Sequence, residues 1–334
     1  MLFTCLIYLT GPNLNHFLAI LLPDQGSSWY YWKLPTRNFL AMVLVWIFYV
    51  INQLLVWGLI FWAQKNLIEQ KTNPTYDLTR YNIAMVAVMV FFIFLHLIQT
   101  HIWFDGLAQD VPIITSQGSV IIMLSILLVM LNPIRGLFTG HKAGKPFTSQ
   151  VSGFFRHYHM YIISWAFIYT FWFHPMAYDP QLLSGFFYMF LLFTQMSLAY
   201  TRVHVDLRWV ITLESFVAIH AVFVAVFNNQ FFGSADIWPM FFSGFAFMFV
   251  FIYMYALNLK QRTKIIVTVA YLAFILWLYV PLPYGFGRDP SFLFRLEFLW
   301  IPIVLYGLSA LFAVLVFLGF KLKSKVSDKK EISS

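Results

Sequence analysis

The feature that most constrains this chain is the regular recurrence of long apolar segments. Nine stretches are close to the roughly 20 residues that a helix needs to cross the hydrocarbon core of a bilayer. They cover residues 38–62, 81–103, 112–131, 158–173, 181–200, 209–227, 238–257, 265–282 and 298–320. Their apolar residues are continuous instead of alternating, which excludes the strands of a membrane barrel. We therefore predict an all-α, polytopic integral membrane helical bundle with about nine transmembrane helices.

Composition supports this fold class. Only 10% of the residues are charged and 61% are hydrophobic, whereas soluble domains carry roughly 25% charged residues. The basic residues are scattered between apolar segments and form no stripe with interleaved aromatics, so we expect no nucleic-acid partner. The expected partner is the lipid bilayer, and the sequence does not decide whether the chain has protein partners. We place no internal boundary and predict one transmembrane domain over residues 1–334, with a basic cytoplasmic tail at 321–334.

The positions of lysine and arginine predict the orientation, because these residues are retained in cytoplasmic loops. Threading the nine segments back and forth puts 17 of the 21 basic residues on one side. The other side holds only Lys33, Arg37, Arg288 and Arg295. We therefore expect a multi-pass protein of the cell membrane with its C-terminus in the cytoplasm.

The first 23 residues do not fit this pattern cleanly. They are apolar, but a polar stretch from Thr10 to His16 interrupts them. They are either a tenth spanning helix or a half-inserted segment. A cleaved signal peptide is disfavoured, since no basic residue precedes the apolar part.

Histidines at membrane depth are the candidate functional residues, because polar groups there are costly and often mark function. Chain direction places His96 and His101 in the outer half of the second predicted helix and His174 at the outer end of the fourth. His220 lies near the middle of the sixth, with Glu214 closer to the cytoplasmic side. We predict that His96, His174 and His220 bind a cofactor, and that all four histidines are candidate metal ligands.

Helical geometry limits this set. His96 and His101 are five residues apart and point about 140° away from each other, so one small site cannot include both. Glu214 and His220 diverge by about 120° on the same reasoning. The competing interpretation of His96 and His220 is an interhelical hydrogen bond. Tryptophans near predicted boundaries, Trp172 among them, are expected to be interfacial anchors.

Three functions fit these residues. The leading hypothesis is a membrane-embedded redox or lipid-modifying protein with a histidine-ligated metal or haem centre in the outer half of the bilayer. Glu214 and His220 would be its catalytic residues, Glu214 as a buried proton carrier, and an apolar or lipid molecule its substrate. The alternatives are a transporter or channel for a small solute or proton, and a structural subunit of a larger membrane complex. The sequence does not decide whether the chain is an enzyme.

Overall fold

The computed structural model describes residues 1–22, 32–232 and 237–333, and these residues form helices and no β-strand. The main helices are α1 (Leu2–Thr10), α2 (Phe39–Asn66), α3 (Arg80–Trp103), α4 (Ile113–Met130), α5 (Ser152–Phe173), α6 (Pro180–Ser197), α7 (Leu207–Phe232), α8 (Trp238–Phe251), α9 (Gln261–Tyr279) and α10 (Trp300–Ser333). The last of these continues through the predicted basic tail.

Short helical turns lie in the connections. They are Gly11–Leu14, Asn15–Leu18, Ile68–Thr72, Leu107–Gln109, Asn132–Arg135, Phe147–Val151, Tyr253–Ala256, Ser291–Phe294 and Glu297–Leu299.

Seven of the described helical segments are long and apolar enough to cross a membrane. They are Phe39–Asn66, Arg80–Trp103, Ile113–Met130, Leu207–Phe227, Trp238–Ala256, Gln261–Tyr279 and Glu297–Ser324. The prediction of an all-helical multi-pass membrane protein is therefore confirmed, whereas the count of about nine is not. The difference is α5 and α6, which are helical where two spans are predicted.

The sequence specifies where two of the longest spans begin. Asn38 precedes α2, and its side chain accepts a hydrogen bond from the backbone N–H of Ala41 at 3.1 Å. Thr79 and Asn82 form a capping box at the start of α3. Such caps satisfy backbone N–H groups that a helix leaves unpaired at its first turn.

The chain divides into two compact units. Unit 1 contains Met1–Val120 and Met160–Asp236, and unit 2 contains Ile121–His159 and Ile237–Ser334. The single domain over residues 1–334 stays a prediction.

In unit 1, α3 packs against α2 and α6, and α6 also packs against α1 and α7. Phe3 of α1 lies 5.6 Å from the rings of both Phe94 and Phe190. A helix of nine residues covers about 14 Å, less than half of the hydrocarbon core. The helical turns Gly11–Leu14 and Asn15–Leu18 follow α1 directly, so the choice between a spanning and a half-inserted segment stays a prediction; Pro23 lies outside the described residues.

The loops of unit 1 gather at two ends. At one end the backbone N–H of Arg202, after α6, donates to the carbonyl of Thr75, after α2, at 2.8 Å. At the other end the backbone N–H of Leu34, before α2, donates to the carboxylate of Asp105, after α3. Which end faces the cytoplasm stays a prediction.

Unit 2 packs α8 against α9 and α10. The loop before α5 meets the end of α8, where the N–H of Thr139 donates to the carbonyl of Phe251 at 2.7 Å. A buried ion pair joins Arg288 to Glu297, which also accepts a hydrogen bond from the hydroxyl of Tyr279. This pair fixes the loop between α9 and α10.

Candidate functional site

Three of the predicted histidines lie around the first turns of α6, in unit 1. His220 Nδ1 is 3.1 Å from the hydroxyl oxygen of Ser184, and the ring of His96 is 6.2 Å from that of Phe186. His96 Nε2 is 2.9 Å from the carbonyl oxygen of His174. His174 is also close enough to His220 for the two rings to interact electrostatically. We call these three residues the histidine cluster; their roles as ligands stay predictions.

His96 is fully buried and uses both ring nitrogens within the protein. Nδ1 is 2.8 Å from Gln99 Oε1, and Nε2 faces the carbonyl of His174. The Gln99 amide is oriented by a second bond, in which its Nε2 donates to the carbonyl of Asp105 at 2.7 Å. Each ring nitrogen of His96 thus faces an acceptor oxygen, and a neutral imidazole has a proton for only one of them. In this arrangement His96 presents no lone pair to a metal.

Trp172 covers one face of His96. The ring centroids are 4.5 Å apart with an interplanar angle of 44°, and the indole N–H donates to Asn52 Oδ1 at 3.1 Å. Trp172 is fully buried. The prediction of an interfacial anchor at this position is wrong, because the indole N–H finds its partner inside the protein instead of at the membrane surface.

The loop after α3 is strained and closely packed. Phe104 has φ 66° and ψ −64°, and the N–H of Asp105 donates to the carbonyl of Trp103 at 2.8 Å. This is a γ-turn of the rare, strained kind, with a bulky side chain at positive φ. At Gly106 a Cβ atom would lie 2.5 Å from the carbonyl oxygen of Trp172. The loop therefore presses directly against the end of α5.

The strained turn buries the carboxyl group of Asp105. The residue is 0% exposed. Oδ1 accepts the backbone N–H of Leu34 at 2.8 Å, and within the described part of the chain Oδ2 has no hydrogen-bond partner. Burial raises the pKa of this carboxyl to about 7, against the smaller opposing effects of the Leu34 bond and the charge of Lys33. Asp105 therefore holds its proton to a higher pH than a solvated aspartate does.

His174 and His220 differ from His96 in having an available nitrogen. His174 Nδ1 donates to the carbonyl of Thr170 at 3.0 Å, which leaves Nε2 unprotonated in the neutral ring. The Ser184 hydroxyl donates to the carbonyl of Gln181 at 2.9 Å, so His220 Nδ1 must donate to Ser184. No hydrogen bond in the described part of the chain involves Nε2 of either histidine. Both rings are thus held in the tautomer that metal-binding imidazoles adopt.

Aromatic rings surround this pair of histidines. Trp32 lies 5.3 Å from His174, and Phe173 lies 4.9 Å from it. Tyr188 lies 6.3 Å from His220. These rings give the two histidines a largely apolar surrounding.

Among the residues that the structure describes, no group of three or more His, Cys, Asp or Glu side chains is placed to hold a metal ion. A metal at this site would therefore have two protein ligands and open positions. The comparisons do not narrow the choice. No protein family, curated protein or solved structure matches this chain.

The two remaining candidates lie differently. His101 places Nδ1 2.8 Å from the carbonyl of Leu97 and Nε2 3.2 Å from that of Thr10, so it ties the end of α1 to α3. Glu214 is buried on α7. Because it lies six residues before His220, the side chains of the two residues point about 120° apart around the helix. Its role as a proton carrier stays a prediction.

Asp105 is the residue that sequence reasoning did not select. An acid just beyond the end of a span is ordinarily solvated, so its position alone carried no signal. The available signal was the neighbouring glycine, because Gly106 in the segment Trp103–Gly106 allows close backbone approach. That approach is what removes water from Asp105.

Proposed function

We propose that this protein is a membrane-embedded redox or lipid-modifying enzyme whose centre is a transition metal bound by Nε2 of His174 and His220. The observation that supports the proposal is that both histidines have Nδ1–H tied to an oxygen and Nε2 left over. Metal-binding histidines almost always show this arrangement, because the outer hydrogen bond fixes the tautomer and the ring orientation. Imidazole nitrogen suits copper, iron, zinc and nickel.

Two protein ligands leave coordination positions for a reactant. Catalytic metal sites keep such open positions, whereas structural sites close them with protein side chains. The neighbouring rings of Trp32, Phe173 and Tyr188 favour an apolar substrate. A quinone, an isoprenoid or a lipid chain has the chemistry to reach such a site from the bilayer.

His96 has a supporting role in this proposal. It binds no metal in this proposal, but its hydrogen bond with the carbonyl of His174 holds the backbone in place just after α5 ends. His96→Ala is therefore expected to weaken metal binding without removing a ligand. Mutation of a residue that holds a metal ligand in place through a hydrogen bond typically lowers metal affinity 10- to 100-fold.

The test is the metal content and optical spectrum of the full chain, purified from membranes without chelator. We expect bound metal in the wild-type protein and in His157→Ala, an exposed control on α5. We expect its loss in His174→Ala and in His220→Ala. A haem bound by the same pair would appear as an absorption band lost in the same two variants.

The proposal fails if the wild-type chain holds neither metal nor haem after incubation with copper(I), iron(II) and zinc. It fails equally if both histidine variants keep the wild-type metal content. Circular dichroism on each variant ensures that loss of metal is not loss of fold.

A further inference from the structure

The strained loop after α3 isolates one acid from water. Phe104 and Asp105 are fully buried, the γ-turn at Phe104 is strained, and Gly106 lies against the carbonyls at the end of α5. Sparsely populated backbone conformations of this kind cost roughly 1–3 kcal/mol and cluster at functional sites. The strain here places a carboxyl group where only one backbone N–H reaches it.

The unpaired oxygen of Asp105 adds to this observation. Oδ2 is buried and has no hydrogen-bond partner among the residues that the structure describes. An ionised carboxylate accepts hydrogen bonds at both oxygens. A protonated carboxyl carries a hydrogen on one oxygen, which then acts as a hydrogen-bond donor. Buried polar atoms without partners are few in native proteins, and each needs an explanation such as a catalytic role or an unseen bound species.

We propose that Asp105 is a proton-exchange site, whose carboxyl group takes up and releases a proton beside the histidine cluster. The proton is the ligand, and Oδ2 is the atom that carries it, since Oδ1 is occupied by the N–H of Leu34. This inference does not depend on a metal at His174 and His220, and it goes beyond the proposed function. Burial, which raises the pKa of Asp105, supports it.

Neighbouring charges bear on this exchange. The charged and titratable residues on the elements packed around the loop are His16, Lys33, Arg37, His96, His101, Asp110 and His174. Lys33 favours the ionised form of Asp105, and Asp110 opposes it. Arg37 is paired with Asp110, which also accepts the indole N–H of Trp46. The effect of burial is the largest of these.

Asp110 is the matched control. It lies in the same loop and is also an aspartate, but it is paired with Arg37 and the Trp46 indole. Replacing it removes a carboxyl of the same chemistry a few residues away without touching Asp105 Oδ2.

The first experiment is infrared difference spectroscopy of the full chain in lipid nanodiscs, comparing pH 6 with pH 8. A protonated carboxyl has a C=O stretch that an ionised carboxylate lacks. We expect a protonated-carboxyl band that falls about tenfold between these two pH values. The band is expected to be absent in Asp105→Asn and kept in Asp110→Asn.

The second experiment needs no variant. A membrane-soluble carbodiimide adds the O–H of a protonated carboxylic acid across its C=N bond. The adduct rearranges to a stable N-acylurea, with the proton on nitrogen and no leaving group. We expect labelling at Asp105, measured by mass spectrometry relative to Asp110 in the same sample, to fall about tenfold from pH 6 to pH 8.

A wild-type spectrum without a titrating carboxyl band overturns the proposal. So does a band that persists in a folded Asp105→Asn protein. If that variant does not fold, the labelling decides. The proposal is then overturned when Asp105 is unlabelled at every pH or follows the same pH dependence as Asp110.

Discussion

Replacing Asp105 with Asn tests the electrostatic reasoning through stability. The folded chain raises the pKa of this carboxyl from 3.8 to about 7, so the folded state binds the proton more tightly than the unfolded state does. The contribution of Asp105 to stability is therefore most favourable below about pH 4. It falls as the pH rises from about 4 to about 7, and it is level above that range.

The magnitude follows from the size of the shift. A rise of about 3 units at roughly 1.36 kcal/mol per unit gives a total loss of about 4 kcal/mol. Between pH 5 and pH 8 the expected loss is roughly 2–3 kcal/mol. Asparagine keeps an oxygen for the N–H of Leu34 but carries no charge, so this loss disappears in Asp105→Asn. The variant should be more stable than the wild-type protein at pH 8. The stability difference between the two proteins should be larger at pH 8 than at pH 5.

The assay is thermal unfolding in nanodiscs at several pH values, with stability compared between the wild-type protein and each variant. Other groups titrate in the same range, and the difference between two chains that share them removes their effect. Asp110→Asn should keep a loss of stability with rising pH, moved toward lower pH because the charge of Asp110 opposes ionisation of Asp105. Equal pH dependence in the wild-type protein and in Asp105→Asn would refute a buried, proton-binding Asp105.

Two further changes test the packing. Glu297→Ala leaves Arg288 buried without its ion pair, and unfolding should become easier by roughly 3–5 kcal/mol; the exposed Asp289→Asn should change the thermal midpoint little. Gly106→Ala brings a Cβ within 2.5 Å of a carbonyl oxygen of α5 and should cost about 1–3 kcal/mol. Gly58→Ala, on α2 with nothing within 4 Å, should stabilise by up to about 1 kcal/mol. A midpoint for Gly106→Ala equal to that of Gly58→Ala would contradict the close approach.

The sequence predicts the helices well because membrane insertion depends on length and apolar composition, which are local properties. The segment from α2 to α4 is an example, since each predicted span there falls on a helix with nearly the same bounds. The two segments at α5 and α6 are less clear because their buried faces carry polar groups. Gln181 and Ser197 are buried in α6, which protein packing tolerates and hydropathy penalises.

The grouping of the histidine cluster was also within reach of sequence reasoning. Depth along each helix follows from chain direction, and depth placed His96, His174 and His220 at similar levels. The hydrogen-bond partners and the protonation of their ring nitrogens could not be predicted from the sequence. They depend on Gln99, Thr170 and the carbonyls that these side chains meet, and such contacts are set by how the helices are rotated against each other.

Stability alone does not account for the end of α3. A strained turn at Phe104, an unpaired carboxyl oxygen on Asp105 and an imidazole between two acceptors at His96 each cost free energy. An apolar loop with a glycine at the turn would avoid all three costs. The three features share one place, through Gln99, which bonds both His96 and the Asp105 backbone. A proton on Oδ2 removes the buried negative charge of Asp105, so proton binding accounts for this carboxyl better than packing does.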